Sequence, residues 1–174
     1  MLTVVIPSYN HEEYIKDCIC AVLKIEISDL KVLIVDDGSI DKTVDMIKEA
    51  ISEAGTVPVE LVQKPNSGLV SSLNLALTKV NTEYVYFCAS DDIPISSGVE
   101  QCVALLDKQA GCKFMIGGAV GFSSEAEEFL VYGSEQERFF QTPPVERFNK
   151  LFFNYPSPLL LQSTVFRTQA IRDV

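Results

Sequence analysis

Two pairs of adjacent aspartates, Asp36-Asp37 and Asp91-Asp92, carry the chemistry this sequence could do. Each pair closes an apolar run, "LKVLIVDDGS" in one case and "EYVYFCASDDI" in the other. Neighbouring carboxylates repel one another and are costly to bury, so each pair needs something to offset its charge. A hard divalent cation suits Asp91-Asp92. Mg²⁺ or Mn²⁺ takes one or two protein carboxylates and fills its other positions with water and substrate phosphates. There it would act as a Lewis acid on a diphosphate leaving group. Asp36-Asp37 asks for another task, because an ionised carboxylate only accepts hydrogen bonds. A uracil-type N–H or a ribose hydroxyl is a fitting donor, and Tyr9 offers a stacking face. The competing reading of Asp36 is turn chemistry, since Asp-Gly-Ser ties down loops by itself.

Composition narrows the partners. The 14 basic and 24 acidic residues leave a formal charge of −10, which argues against nucleic acid or an anionic membrane. A polyphosphate ligand would meet a repulsive field unless a cation intervened. Neither G-x-G-x-x-G nor G-x-x-x-x-G-K-[ST] is present, so the two common glycine-rich phosphate cradles are missing. The five cysteines form no C-x-x-C, and His11, the one histidine, cannot complete a cysteine-rich zinc site. They read as buried free thiols of a reducing cytoplasm. The start "MLTVVIPSYN" lacks a basic n-region and no apolar run is long enough to span a bilayer, so a soluble chain is expected. His11 is expected to be an exposed loop residue.

The elements that must position these acids follow from periodicity. "LTVVIP", "LKVLIVD", "VELVQ" and "EYVYFCA" are short, apolar strands without strict alternation, the first stopped by Pro7. Between them lie segments of helical spacing. The first has Tyr14, Ile15, Cys18, Ile19, Val22 and Leu23 on one face, with Asn10 and Glu13 as a capping box. The second has Val44, Ile47 and Ile51, with Asp41 as its cap. The third turns Leu69, Leu73, Ala76, Leu77 and Val80 inward, and a fourth buries Val99, Cys102, Val103 and Leu106. "KFMIGGAVGF" reads as a fifth strand, residues 123–142 lose their period, Pro143-Pro144 opens an aromatic-rich helix, and "PLLLQSTVFR" reads as a strand. Strand–helix alternation of this kind predicts an α/β, Rossmann-like three-layer domain with a mostly parallel central sheet. Ligands of such sheets sit outside the carboxyl ends of the strands, where strand order reverses. Pro7 to Asn10, Asp36-Asp37, Asn66 to Gly68 and Asp91-Asp92 all fall at such ends, which marks one rim as a site.

In that order, "VVIPSYN", "VLIVDDGSIDKT", "NSGLVSSLNLAL" and "EYVYFCASDDI" resemble the nucleotide-diphospho-sugar binding half of family 2 glycosyltransferases. The resemblance runs from residue 2 to about 95 and returns in "STVFRTQAI". It implies the GT-A fold and inverting transfer of a sugar from a nucleotide-diphospho-sugar, a UDP-sugar above all, with Mg²⁺ or Mn²⁺. The acceptor would be a glycan or a lipid-linked molecule in polysaccharide biosynthesis. By resemblance Pro7, Ser8, Tyr9, Asn10, Asp36, Asp37, Asn66, Gly68 and Asp91 bind the donor, and Asp91 and Asp92 form the metal motif. The family's Asp-Ala-Asp-Asp reads Ala89-Ser90-Asp91-Asp92 here, so the first acid is absent, and Leu73 stands where many relatives have Arg.

The resemblance further implies one domain over residues 1–174, with 1–95 as the donor half and 96–174 opening an incomplete acceptor half. The general base is expected beyond Val174. Cytoplasmic work is implied, at the inner face of the membrane through regions outside this chain. Phe139, Phe140, Phe148, Phe152, Phe153 and Tyr155 read as core before they read as a lipid-facing surface. Two other readings stay in view, a non-catalytic nucleotide-sugar module and a receiver-like signalling domain, whose Mg²⁺-binding acids also follow a strand.

Overall fold

The computed structural model describes residues 1–122, 127–153 and 161–173. Along the chain these form β1 (Leu2–Ser8), α1 (Ile15–Val22), β2 (Leu30–Asp36), α2 (Thr43–Ser52), β3 (Val59–Gln63), α3 (Leu69–Lys79), β4 (Tyr84–Phe87) and α4 (Ser96–Lys108). Then come β5 (Phe114–Ile116), β6 (Val120–Phe122), β7 (Glu128–Leu130), α5 (Ser134–Gln141), α6 (Pro144–Phe153), a 3-10 turn (Leu161–Ser163), β8 (Thr164–Arg167) and α7 (Thr168–Arg172). Two compact units result: residues 1–117 with 164–174, and residues 118–163.

The first unit holds a six-stranded sheet in the order β3-β2-β1-β4-β8-β5. The first four strands run parallel, and β8 is antiparallel to both β4 and β5. Both faces are apolar because both are covered, which is why the strands do not alternate. Leu2, Val4, Ile6, Val32, Ile34, Tyr84 and Tyr86 pack with Ile15, Ile19 and Val22 of α1, Ile47 of α2, and Val99 and Leu106 of α4. Val5, Leu33, Val35, Val85 and Phe87 pack with Ala76 and Val80 of α3, with Phe166 and Ile171 beside them. Each fully buried Val, Leu or Ile contributes about 1.5–3 kcal/mol, so truncating Ile6 or Ile34 to Ala would cost about 2–5 kcal/mol. Strand order reverses between β1 and β4, and the paired residues end there at Val5 and Phe87.

Several local expectations give way to tertiary contacts. Pro7 lies inside β1, opposite Val35, rather than ending it. Val5 O accepts from Cys88 N towards β4 and Ser8 O from Asp37 N towards β2, so alternation turns Pro7 to the β4 side, where pairing has stopped and no N–H is missed. Asn10 and Glu13 form no capping box. Asn10 sits at φ +52°, and its Oδ1 accepts from Ile40 N at 2.9 Å, a bond across to the β2–α2 loop. The start of α1 relies on His11 O, which accepts from Tyr14 N and Ile15 N. Asp41 does serve α2, its Oδ1 accepting from Thr43 N at 3.0 Å. On α3 the buried line is Ser72, Ala76 and Val80, while Leu69 is 59% exposed on the rim. All five cysteines are free thiols, with Cys18, Cys88 and Cys102 buried.

The second unit is a β6–β7 antiparallel hairpin followed by α5 and α6. The expected fifth strand divides at Gly117-Gly118: only Phe114–Ile116 joins the large sheet, and Val120–Phe122 pairs in the hairpin. Residues 134–141, read as irregular, form α5, whose narrow buried stripe of Gln136 and Phe139 gives too weak a period to detect. Its start is held by Gln136 Oε1, which accepts from Gly133 N at 2.9 Å. Pro144 opens α6 at the position where a missing N–H costs nothing. Phe139 and Phe140 meet edge to face at 5.2 Å. The side chains of Phe148, Phe152 and Phe153, residue Tyr155, and residues 158–160 of the expected last strand lie outside the described residues. No helix among the described residues is long and apolar enough to cross a membrane.

Candidate functional site

The carboxyl ends of β1, β2, β3 and β4 bring the predicted loops to one rim. Ser8 and Asp36 are register partners on β1 and β2. Asp36 is 1% exposed, and Ser39 occupies both its oxygens: Oγ–H donates to Oδ1 at 2.5 Å and N–H to Oδ2 at 3.1 Å. Ser39 Oγ in turn accepts from Asn10 N at 2.9 Å. Lys42 N donates to Glu12 Oε2 and Glu12 N to Asp41 Oδ2, so the loops after β1 and β2 are laced from both sides.

Asp37 is engaged by the third loop. Its Oδ1 accepts from Lys64 Nζ and from Ser67 N at 2.8 Å, and its Oδ2 from Gly68 N at 2.8 Å. Burial pushes this carboxyl up, but Lys64 and the two amides outweigh it and hold Asp37 below the usual carboxylate range. Lys64 Nζ also donates to Ser67 Oγ at 2.6 Å. Gly38 makes the approach of the loops feasible. At φ +74°, its missing Cβ would stand 2.8 Å from Asn66 N and 3.1 Å from Lys64 O. Asn66 itself is exposed, and Gly68 opens α3 at φ +88°.

Asp91 and Asp92 contrast with all of this. They lie in a turn closed by Asp92 N donating to Ala89 O at 3.1 Å. Asp91 is exposed, Asp92 is half-buried, and neither side chain has a hydrogen-bond or ion-pair partner among the described residues. Burial, then the charge of Asp91, pushes the Asp92 carboxyl up. Two unpartnered hard oxygen donors fit Mg²⁺ or Mn²⁺, provided water and a ligand complete the shell. Among the described residues no group of three or more His, Cys, Asp or Glu is arranged to hold a metal alone.

Around this polar floor stand exposed apolar side chains, on three loops and on the first turn of α3: Tyr9 at 43%, Ile40 at 89%, Ile93 at 60%, and Leu69 and Val70 at 59% and 71%. Ser8 Oγ is buried yet has no hydrogen-bond partner among the described residues. The sequence reading missed Ser39 and Lys64, and it took His11 for an exposed residue. His11 is partly buried and its Nδ1 lies 2.6 Å from Ser90 Oγ. No local pattern marks these contacts, because each joins residues 27 or more apart or hides in turn chemistry.

A mostly parallel sheet with this strand order and a rim of acids at its carboxyl ends defines a Rossmann-like α/β domain with a ligand crevice at the switch point. Residues 3–168 match the family described as Glycosyl transferase family 2, and the chain belongs to it. Relatives include a chondroitin synthase of Pasteurella multocida (strain Pm70), 33% identical over 117 residues, which are 66% of this chain and 12% of that protein. A teichoic acid poly(glycerol phosphate) polymerase of Staphylococcus epidermidis is 34% identical over 91 residues, 52% of this chain and 13% of that protein. The chain thus spans about an eighth of these relatives. Among solved structures, S. aureus TarS 1-349 in complex with UDP-GlcNAc superimposes with a TM-score of 0.70 at 20% identity, over 99% of this chain and 46% of that one. A Pyrobaculum calidifontis mannosyltransferase in complex with GDP-Man and Mn²⁺ gives 0.61 at 22% identity, over 65% and 34%. The fold is GT-A, as expected.

Proposed function

We propose that this chain carries the donor site of an inverting glycosyltransferase. It would move a sugar from a UDP-sugar to a glycan or lipid-linked acceptor in polysaccharide biosynthesis, on the cytoplasmic side of a membrane. The observation that carries the reading is the Asp91-Asp92 pair, without side-chain partners among the described residues, on a rim whose other acidic pair already accepts a hydrogen bond at every oxygen. The UDP-GlcNAc, GDP-Man and Mn²⁺ bound by the two structural neighbours support a nucleotide-sugar and a divalent cation. A receiver-like domain fits poorly. Its sheet runs 2-1-3-4-5, whereas here β4 lies beside β1 and β3 at the edge.

Residues 1–95 form the donor half in this reading and 96–174 open the acceptor half. Pro7, Ser8, Tyr9 and Asn10 line the nucleoside, with Tyr9 stacking on the base and the Ser8 hydroxyl donating to it. Asp37 has spare acceptor capacity on Oδ2 for a base N–H, Asp36 braces the turn, and Asn66 and Gly68 border the ligand. Asp91 and Asp92 hold Mg²⁺ or Mn²⁺, and Asp91 reaches the ribose. When bound, the cation offsets charge developing on the diphosphate. The attacking hydroxyl needs a general base, for which we assign no residue of this chain.

Calorimetric titration with UDP, with and without Mn²⁺, on the chain and on Asp92→Ala tests this. Metal-dependent binding that the substitution abolishes is the expected result. If GDP binds and UDP does not, the base assignment falls. A folded chain that binds neither, with metal present, overturns the donor site.

A further inference from the structure

Beyond the paired residues Val5 and Phe87, β1 and β4 part at the switch point, and their loops open the crevice that the donor reading fills. Asp91 and Asp92 hang from the β4 side of that crevice with no side-chain anchor of their own among the described residues. The nearest anchor is one residue earlier. Ser90 is 2% exposed, and its Oγ lies 2.6 Å from Nδ1 of His11, which belongs to the β1–α1 loop. The backbone of His11 is fixed in turn: its N–H donates to Thr43 Oγ1 at 2.8 Å, and Thr43 is fully buried at the start of α2. Its ring stands edge-on to Tyr14 at 6.0 Å. Below, the Cys18 thiol of α1 donates to Ala89 O at 3.4 Å. A single chain of contacts therefore runs from the start of α2 through His11 and Ser90 to the acidic pair.

We propose that His11 and Ser90 are positioning residues that clamp the acidic loop across the crevice and set the direction of Asp91 and Asp92 towards the cation. Ser90 occupies the place just before the two acids, in a motif that lacks its first acid. With two carboxylates rather than three, the geometry of those two matters more. A hydrogen bond from the facing loop supplies that geometry without adding negative charge. The inference rests on the donor-site reading, and it extends that reading to residues that touch neither the cation nor the nucleotide.

The test titrates Mn²⁺ by electron paramagnetic resonance into the UDP-saturated chain and into His11→Ala, Ser90→Ala and His11→Asn. Asn can place a polar atom near the position of Nδ1. In parallel, amide exchange at Asp92, whose N–H closes the turn on Ala89, is followed in the free proteins. A partner bonded directly to a metal ligand is worth roughly 10–100-fold in affinity. His11 and Ser90 act one step further out, through the backbone, so a drop of roughly 10-fold is expected for both alanine variants, with most of it recovered in His11→Asn. Wild-type Mn²⁺ affinity in His11→Ala, or an Asn variant as weak as the Ala variant, overturns the clamp. If the wild-type chain binds neither UDP nor Mn²⁺, the donor site falls by itself. The exchange rates then decide the clamp: faster exchange at Asp92 in both alanine variants keeps it, and unchanged exchange removes it.

Discussion

Asp36-Asp37 and Asp91-Asp92 are the same dipeptide at the carboxyl end of a parallel strand, the first closing β2 and the second in the loop after β4. Their surroundings are opposite. The first pair is buried, and Ser39, Lys64 and the amides of Ser67 and Gly68 occupy its oxygens. The second is open to solvent on one side and has no such partners among the described residues. A carboxylate pair solved from within is a fastening that also offers its leftover lone pairs to a ligand. A pair left unsolved is a demand for charge from outside. Substitutions should therefore act on folding at the first pair and on ligand binding at the second.

The strongest way to break this contrast is Lys64→Met. The Lys64 and Asp37 side chains are only 12% and 7% exposed, so removing the cation strands a buried carboxylate. A stability loss of about 3 kcal/mol is expected in urea unfolding. A loss below 1 kcal/mol would mean that the amides alone suffice. Gly38→Ala comes next, because it adds a Cβ at positive φ against backbone that cannot swing away. About 2 kcal/mol is expected, again with urea as the check. A variant as stable as wild type would show that the loops after β2 and β3 are less tightly joined than the distances imply.

Asp37 and Asp92 also titrate with opposite signs. Asp37 and Asp41 are held below 3.8, so the folded state releases their protons more readily than the unfolded chain. Their stabilisation is complete above that ordinary value and is lost as pH falls through their lower, folded values. Asp92 is raised above 3.8, so its protonation adds stability as pH falls through its folded value towards 3.8. Asp92→Asn removes that gain. Thermal melts of the metal-free proteins should show the variant losing stability more steeply than wild type on the acid side. Parallel curves would remove the sign difference.

Much of the first unit was legible in the sequence because its strands are apolar on both faces and each helix but one keeps its period. The four rim clusters were legible for the same reason, since a strand that ends in acids announces where its carboxyl end lies. What was hidden was which acids are already satisfied. Lys64 follows β3 by one residue and reads as ordinary loop composition, yet its ammonium crosses to Asp37. His11 looked like an exposed loop residue until the switch point brought Ser90 beside it. The Asn10–Glu13 spacing suggested a local cap, but Asn10 bonds instead to Ile40 on another loop. Helix α5 was missed because a mostly polar helix with two buried side chains leaves almost no period. For Lys64, His11 and Asn10 a contact between distant segments outweighed a short-range preference.

The smallest effect sharpens the contrast most. At neutral pH, Asp92→Asn should raise the stability of the metal-free chain by about 0.5 kcal/mol, because it removes repulsion at a partly exposed pair and breaks no hydrogen bond. Lys64→Met and Asp92→Asn would then move stability in opposite directions, although both change the charge balance at an Asp-Asp pair. Mn²⁺ should reverse the order at the second pair. Binding stabilises the folded state by RT ln(1 + [L]/Kd), about 2.7 kcal/mol at a hundredfold excess over Kd, and the variant would forgo most of it. With Mn²⁺ and UDP present, calorimetric melting should place wild type above Asp92→Asn; without them, just below it. If the order fails to invert, the open pair is a surface feature and not a metal site.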